Sequence, residues 1–252
     1  MILFVFEGEK REPAIFATME KLFFPEGKSH IFCSYGNNIY RLYRKLKEDP
    51  DLDFLSVLYA SAKDKMFWAY RKKIDEVYLF FDYDRHDQSA IDAHLQEMLE
   101  AFNNETDKGK LYINYPMVES LFYTKELPDS YFNEYTVPIK QLSSFKKLCA
   151  DFNIYKSFDF CLLPPNISTK YSEDQEKYCK RCRENWQHLQ SQNVQKAHWL
   201  CTQQKIFSLA EIFRPLNQQS ILEQQIQKYV IPRQEVAILN AFPLFLFDYF
   251  GK

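Results

Sequence analysis

The sequence predicts an α/β fold: a mostly parallel sheet flanked by helices, with a mainly helical C-terminal region. Three observations predict it. Short apolar runs alternate with helix-period segments over about the first 120 residues. The runs are apolar at consecutive positions, as is typical of strands buried on both faces of a parallel sheet. From about residue 140 onward, helical periodicity and Gln-rich segments replace the strand pattern.

Each element of the first half follows from its local pattern. The predicted strands are Ile2–Phe6, His30–Ser34, Val77–Phe81 and Leu111–Tyr115. Pro13 fits the first turn of a helix, and a second helix is predicted over Asn38–Lys47. Ser89 is predicted to cap a helix that runs through Phe102, and Pro116 to open a short helix.

The change of pattern predicts two regions. Residues 1–135 form the α/β domain, with an inserted helical element at about 48–73, and residues 136–252 form a helical appendage packed on it. The apolar end, Ala241–Phe250, has two interpretations, since such a segment is typical of a core helix and of a homodimer interface.

Composition excludes several classes of function. The chain has 252 residues, a net charge of −2 and only 5 glycines, and it contains neither G-x-x-x-x-G-K-[ST] nor G-x-G-x-x-G. Walker-type nucleotide hydrolysis and dinucleotide redox chemistry are therefore not expected. Because the net charge is near neutral, a polyanionic partner has to be held by a local basic patch or by metal ions.

Apolar and cysteine patterns bear on where the protein works. No apolar run approaches the ~20 residues that cross a bilayer, and the apolar start, Met1–Phe6, is short and lacks a basic flank. We therefore expect neither a signal peptide nor a membrane partner. The 6 cysteines lie in a chain large enough to fold without disulfides, so the expected location is the cytoplasm.

Acidic residues follow three of the predicted strands. Glu7 follows the first, Asp82 and Asp84 follow the third, and Glu119 comes shortly after the fourth. The carboxyl ends of parallel strands open on one edge of the sheet, so these carboxylates are expected to converge. Convergent carboxylates favour a hard cation such as Mg²⁺. Taken alone, Asp82-x-Asp84 is also typical of a solvated turn or a helix cap.

The ordered motifs at these strand ends are similar to those of a known family. They are Glu7-Gly8-Glu9-Lys10-Arg11-Glu12-Pro13, Phe81-Asp82-Tyr83-Asp84-Arg85-His86 and Pro116-Met117-Val118-Glu119-Ser120. The set resembles the Toprim superfamily and, within it, the RloB-like group of prokaryotic anti-phage defence loci, whose opening motif has the form E-G-E-x-x-E-P. The resemblance covers about residues 1–125. The 74 residues between the first and second motifs exceed what a compact Toprim domain needs, hence the interpretation of 48–73 as an insertion.

The resemblance implies a Toprim-like Rossmannoid nuclease that hydrolyses phosphodiester bonds in nucleic acid with Mg²⁺ or Mn²⁺. Glu7, Asp82 and Asp84 are the implied metal ligands, and Glu7 is also an implied general acid or base. Glu12 and Glu119 are implied as further members of the catalytic set. The implied phosphate-binding residues, each equally typical of a surface charge, are Lys10, Arg11, Arg85 and His86.

Gly8 stands directly after Glu7 in a chain with few glycines. A glycine there lets the backbone turn sharply beside the implied catalytic carboxylate and leaves room for phosphate. Gly8→Val is therefore predicted to abolish cleavage while leaving the fold intact.

Partners and substrate follow from the same resemblance. Defence loci of this kind pair a small Toprim protein with a separate ATPase or sensor, which implies a toxic effector under a partner's control. The substrate stays open between DNA and RNA, transfer RNA included. The alternative function is a non-catalytic Toprim-fold subunit that binds or regulates a defence complex.

Two further motifs lie in the C-terminal region. Cys179-x-x-Cys182 and His198-x-x-Cys201 have the spacing of a structural zinc site, although free cysteines on helices give the same pattern. Around them, basic residues alternate with aromatic rings, which is typical of a nucleic-acid-binding face and equally of a solvated surface with its rings in the core. The residues of this segment are Lys170, Tyr171, Lys177, Tyr178, Lys180, Arg181, Arg183 and Trp186. A second basic set lies in the N-terminal half, on a helix predicted to point toward the acidic edge. Its residues are Arg41, Arg44, Lys45 and Lys47.

Overall fold

The apolar runs of the N-terminal half are strands that pair with one another in a central sheet. The computed structural model describes residues 1–24, 29–48, 53–62, 65–85, 90–155, 160–164, 167, 173–206, 208–212 and 216–251. Within these ranges the main sheet has five strands, namely β1 (Ile2–Phe6), β2 (His30–Ser34), β3 (Glu76–Asp82), β4 (Asn103–Asn104) and β5 (Gly109–Asn114). Their order is β2-β1-β3-β5-β4, and only β4 runs antiparallel to its neighbour. The predicted α/β class with a mostly parallel sheet is confirmed.

Helices cover the sheet because its strands are apolar on both faces. All five residues of β1 are buried, so each face needs a covering layer. The helices of the first half are α1 (Arg11–Phe23), α2 (Ile39–Glu48), α3 (Phe54–Ser61) and α4 (Asp92–Ala101). Ile91 is at the N-cap of α4, whereas the predicted cap, Ser89, lies outside the described residues. The short strand β4 pairs with β5.

The stretch predicted as a helical insertion contains two short helices. The Asp53 side chain accepts a hydrogen bond from the Ser56 backbone N–H at 3.1 Å and caps α3. The 3₁₀ helix Met66–Lys73 follows and packs along the edge strand β2. Phe67 is fully buried and attaches this helix to the core.

The C-terminal half is mainly helical, as predicted. Its helices are α5 (Phe145–Phe152), α6 (Glu173–Thr202), α7 (Gln218–Gln225), α8 (Ile231–Arg233) and α9 (Ala241–Phe250). An antiparallel pair that the sequence pattern did not predict joins β6 (Thr136–Pro138) to β7 (Glu235–Ala237). Both strands are three residues long, too short for period-2 alternation to be visible. No described helix combines the length and apolar character needed to cross a bilayer.

Helix α9 forms part of the core that covers the sheet. The ring centroid of Phe245 lies 5.6 Å from that of Phe4, 5.0 Å from that of Tyr78 and 5.4 Å from that of Phe80. Of the two interpretations of the apolar end, the core helix is therefore the one that the structure shows. This burial within one chain removes the sequence argument for a homodimer.

The candidate zinc ligands lie on a single helix. Cys179, Cys182, His198 and Cys201 all belong to α6. A rise of ~1.5 Å per residue places the second pair about 24 Å along the helix from the first, so the four side chains cannot surround one ion. Burial raises the pKa of the Cys182 thiol to about 12, which keeps it neutral. The four-ligand zinc site is therefore wrong, because the two pairs are on one helix rather than on two facing ones.

Candidate active site at the carboxyl edge of the sheet

The strand ends bring two of the predicted acidic residues into contact. Glu7 directly follows β1, and Asp82 is the last residue of the adjacent strand β3. The backbone N–H of Asp82 donates to Glu7 Oε2 at 3.0 Å. Asn114, the last residue of β5, donates from its side chain to Asp82 Oδ1, also at 3.0 Å. Three neighbouring strands thus deliver polar side chains to one edge of the sheet.

Asp84 is held on the same edge by a fixed turn. Its backbone has φ 44°, in the left-handed region that aspartate tolerates better than most residues. Its N–H donates to the Pro116 carbonyl at 3.2 Å, and the N–H of Tyr83 donates to the Asn114 carbonyl at 3.0 Å. Tyr83 is fully buried, whereas Asp84 is half-buried. The turn therefore separates the two aspartates by a buried ring and leaves the second one near solvent.

Glu12 reaches back to the same place from the first turn of α1. Its carboxylate accepts a hydrogen bond from the Gly8 backbone N–H at 2.9 Å, and the residue is only 4% exposed. A Cβ atom on Gly8 would lie 2.6 Å from Glu12 Oε2. Gly8 is thus required for this buried carboxylate to stand directly beside the Glu7 turn.

Glu119 completes the acidic set from the 3₁₀ helix Val118–Phe122. It is buried, and its Oε1 lies 3.3 Å from Lys146 Nζ, whereas its Oε2 is buried without a hydrogen-bond partner among the described residues. The Lys146 side chain is 75% exposed. Cys149, on the next turn of α5, donates its thiol to the Glu119 carbonyl at 3.3 Å.

Burial and mutual repulsion raise the pKa of two acids at this edge. Burial raises the pKa of Asp82 well above its ordinary value, and the charges of Glu7, Glu12 and Asp84 raise it further. Burial also raises the pKa of Glu12, and repulsion from Glu119 acts in the same direction. The edge therefore carries more negative charge than its neighbours neutralise, so a bound cation or a proton is favoured there.

The set of donor atoms fits a hard cation, although it is not a complete cage. Among the residues that the structure describes, no three His, Cys, Asp or Glu side chains form a metal-ion group on their own. The available donors are carboxylate oxygens, and one buried carboxylate oxygen of Glu119 has no described partner. Mg²⁺ suits such a set, because it usually takes one or two carboxylates and completes its octahedron with waters and substrate phosphates.

The four predicted phosphate-binding residues have different outcomes. Arg85 is engaged at the start of α4, where it bonds the Ala90 carbonyl at 3.1 Å and lies 3.2 Å from Asp92 Oδ2. Arg11 lies over the Phe122 ring, with 5.3 Å between Cζ and the ring centroid. Lys10 is exposed beside Gly8. The fourth residue, His86, lies outside the described residues. Arg85 is therefore occupied by a partly buried structural ion pair. Lys10 and Arg11 remain candidates beside the acidic turn, and a phosphate contact by His86 stays a prediction.

Asn114 and Lys146 were not predicted from the sequence. Asn114 looked like an ordinary polar end to a strand, although its place on the same edge as Asp82 was implied by the parallel order. Lys146 comes from α5, in the other half of the chain, and no local pattern indicates that its ammonium reaches Glu119. It lowers the pKa of Glu12 against the effect of burial, so it partly neutralises the edge.

A sizeable cavity lies away from this edge. It has a volume of about 790 Å³, and its lining includes Tyr43, Phe54, Val77, Met98 and Phe102. Val77 is near the amino end of β3, the opposite end from Asp82.

Comparison with family models, curated proteins and solved structures gives no match for this chain. The candidate site therefore depends on residue chemistry and geometry.

Gly8→Ala is expected to lower cleavage at least tenfold, because the new methyl group displaces the Glu12 carboxylate. We expect it to reduce the free energy of unfolding by about 1–2 kcal/mol through overpacking. In a Glu12→Ala background the same change should cost less than about 0.5 kcal/mol, since the colliding atoms are gone. Urea unfolding of the four proteins measures this coupling. Equal costs in both backgrounds would show that Glu12 is not what Gly8 accommodates.

Proposed function

We propose that the protein is a Mg²⁺-dependent nuclease that hydrolyses phosphodiester bonds in nucleic acid. One observation carries the proposal: Glu7, Glu12, Asp82 and Asp84 meet at the carboxyl edge of a parallel sheet. Burial there, and then the charges of the other three carboxylates, raise the pKa of Asp82 well above its ordinary value. Such an edge is the usual ligand site of an open α/β sheet. The Toprim-like motifs of the sequence support the same activity.

The residues at this edge supply three things to the reaction. Asp82 and Asp84 would hold the cation, which when bound polarises a phosphoryl oxygen and lowers the pKa of a bound water. Glu7 is oriented by the hydrogen bond that its Oε2 accepts from the Asp82 N–H, and its carboxylate would take the proton of the attacking water. Glu12, whose pKa is raised, would hold a proton at a higher pH than an exposed glutamate does. Lys10 and Arg11 would contact phosphate.

The wider role is proposed from the sequence resemblance alone. An effector of anti-phage defence that works in the cytoplasm and is controlled by a partner ATPase fits a nuclease chain without a Walker motif. DNA and RNA are both admissible substrates for this chemistry.

Glu7→Gln and Asp84→Asn are each expected to reduce cleavage at least 100-fold, and EDTA to abolish it in the wild type. Plasmid, single-stranded DNA and total RNA would be incubated with Mg²⁺ or Mn²⁺ and analysed on denaturing gels. The matched control is Glu9→Gln, the same chemical change at an exposed residue two positions away, which should leave the rate within twofold. Unchanged cleavage in both site variants would refute the assignment.

A non-catalytic regulatory subunit is the second candidate. It is favoured by the lack of a three-residue metal group among the described residues and by the Lys146 ammonium next to Glu119. Thermal unfolding with and without Mg²⁺ separates the two candidates. A wild-type protein that neither cleaves any of the three substrates nor gains thermal stability from Mg²⁺ would support the regulatory role.

A further inference from the structure

Stacked rings and cations form a column on the surface of the inserted segment. Tyr59 of α3 and Trp68 of the 3₁₀ helix Met66–Lys73 stack with their ring centroids 4.6 Å apart and their planes at 28°. Lys65 Nζ lies 4.7 Å from the Tyr59 ring centroid, and Arg71 Cζ lies 4.5 Å from that of Trp68. We call these four residues the ring column. It places two cations on a pair of rings at the protein surface.

Apolar side chains stay exposed around the ring column. Met66 is 67% exposed and Tyr70 is 41% exposed. The 3₁₀ helix is nevertheless fixed in place, since Phe67 between them is fully buried. Exposed rings and methylenes on a fixed element, next to cations, indicate a binding surface rather than a solvated turn.

Positive charge is concentrated in this part of the chain. The segment 41–73 contains nine lysines and arginines against five aspartates and glutamates, in a protein whose net charge is −2. The rest of the chain is therefore net negative. A polyanion that approaches this protein meets its favourable field here.

A line of basic residues connects the ring column with the acidic edge. The N–H of Gly36 donates to the Glu7 carbonyl at 2.9 Å, which places the start of α2 beside the candidate site. Arg41 donates to Asn37 Oδ1 at 3.0 Å at that start. Lys45 is one helical turn further along α2 and bonds Ser61 Oγ, at the end of α3, at 2.5 Å. The cations thus lead from Glu7 to the segment that carries the ring column.

We propose that this surface binds a single-stranded segment of nucleic acid and leads it to the acidic edge. The second part of this inference rests on the proposed nuclease function. Lys65, Lys45 and Arg41 would lie along the phosphates, while the Tyr70 ring and the Arg71 guanidinium plane would stack on bases. Only unpaired bases offer their faces for such stacking, so a single strand is favoured over a duplex.

The basic face of α6 does not offer the same combination. Lys177, Lys180 and Arg181 alternate there with Asp174 and Glu184 around a small surface cavity. Arg181 lies over the Tyr178 ring, with 5.4 Å between Cζ and the ring centroid. Opposite charges at this spacing neutralise one another, so α6 serves as the matched control surface.

The double variant Lys65→Glu/Arg71→Glu is expected to weaken binding of a fluorescein-labelled 20-nucleotide single strand at least tenfold. Fluorescence anisotropy in EDTA and low salt measures this without cleavage. The slope of log affinity against log salt should become shallower by about 0.7, because of the two residues only Lys65 lies along the phosphates. Lys177→Glu/Arg181→Glu makes the same charge change on α6 and should cost less than threefold. Equal losses in the two double variants, or no binding by the wild type, would overturn the inference.

Substitutions at Tyr70 test whether its ring stacks on the bases of the strand. Tyr70→Ala is expected to weaken binding of the single strand at least about fivefold, whereas Tyr70→Phe, which keeps the ring, should bind within twofold of the wild type. Polyglutamate of equal charge should compete at least tenfold more weakly than the unlabelled oligonucleotide. Equal competition by polyglutamate would show that the surface senses charge alone and would overturn strand recognition.

Failure of this inference is distinguishable from failure of the nuclease. Suppose that Lys65→Glu/Arg71→Glu, the column variant, binds the single strand more weakly and the wild type cleaves nothing. This result would refute the nuclease and leave strand binding supported. Cleavage by the wild type with undiminished binding in the column variant would support the nuclease and overturn the strand surface.

Discussion

Asp82→Asn is expected to make the protein more stable and inactive at the same time. At pH 7 in EDTA we expect the melting temperature to rise by about 2–6 °C, which corresponds to a gain on the order of 1–2 kcal/mol for a chain of this size. Cleavage should fall at least 1,000-fold, since the residue is the buried member of the proposed metal-binding pair. Opposite signs for stability and activity are typical of a functional group held in an unfavourable environment.

The expected gain in stability of Asp82→Asn follows from the pKa of the Asp82 carboxyl. Burial raises it well above the ordinary value of 3.8, and neighbouring carboxylates raise it further. A carboxyl group whose folded-state pKa is raised stabilises the fold below the unfolded pKa, and this contribution is lost as the pH rises through the folded pKa. At neutral pH the ionised carboxylate is therefore destabilising. Asparagine removes the charge and keeps an oxygen that accepts the hydrogen bond from Asn114.

Thermal unfolding as a function of pH checks this expectation. The stability difference between Asp82→Asn and the wild type should shrink toward pH 4, because the wild-type carboxyl is then protonated. Mg²⁺ should shrink it as well, by stabilising only the wild type. Asp107→Asn makes the same change at an exposed residue of the β4–β5 turn and should shift the melting temperature by less than 1 °C. A lower melting temperature for Asp82→Asn at pH 7 in EDTA would contradict the electrostatic argument.

The acidic edge could be predicted because strand ends are a local signal. Each buried strand is an apolar run with a visible end, and parallel order places all such ends together. Glu7, Asp82 and Asp84 were located in this way. Whether a turn aims two carboxylates at one point is not local: the left-handed backbone of Asp84 depends on the segment after β5, to which its N–H is bonded.

The hydrogen bonds of Asn114 could not be predicted for the same reason. Its side chain donates to Asp82 and accepts from the backbone N–H of Ala241, 127 residues away, at 3.0 Å. Asn114 therefore joins the candidate site to the start of α9. Sequence periodicity reports which face of an element is buried, and it contains no information about which distant element covers that face.

The ring column was missed because its two rings are on different helices. Tyr59 and Trp68 belong to α3 and the 3₁₀ helix, so no single helical face contains both. The residue types alone gave a signal, since cations and aromatic rings are concentrated between Tyr59 and Lys73. Read from the sequence, this stretch only explained the distance between the first two acidic motifs.

Phe245→Ala is expected to reduce the free energy of unfolding by about 3–5 kcal/mol, the range for a large ring removed from a packed core. Its ring is fully buried and packs against rings from β1, β3 and β5, with the Tyr112 centroid 5.8 Å away. The removed ring leaves a cavity between α9 and the sheet that neither layer can close, because both layers are held by many other contacts.

Phe250→Ala is the matched control on the same helix. Phe250 is 41% exposed, so its loss should cost about 1 kcal/mol or less. Urea denaturation of both variants and the wild type compares the two positions directly. If the C-terminal region were an appendage outside the sheet core, Phe245→Ala would leave unfolding of the sheet unchanged. A single cooperative transition that shifts as a whole to lower urea in Phe245→Ala would instead show that α9 and the acid-bearing sheet unfold together. A mutation far from Asp82 would then abolish the proposed nuclease activity by unfolding the protein, and that activity would be lost in proportion to the unfolded fraction.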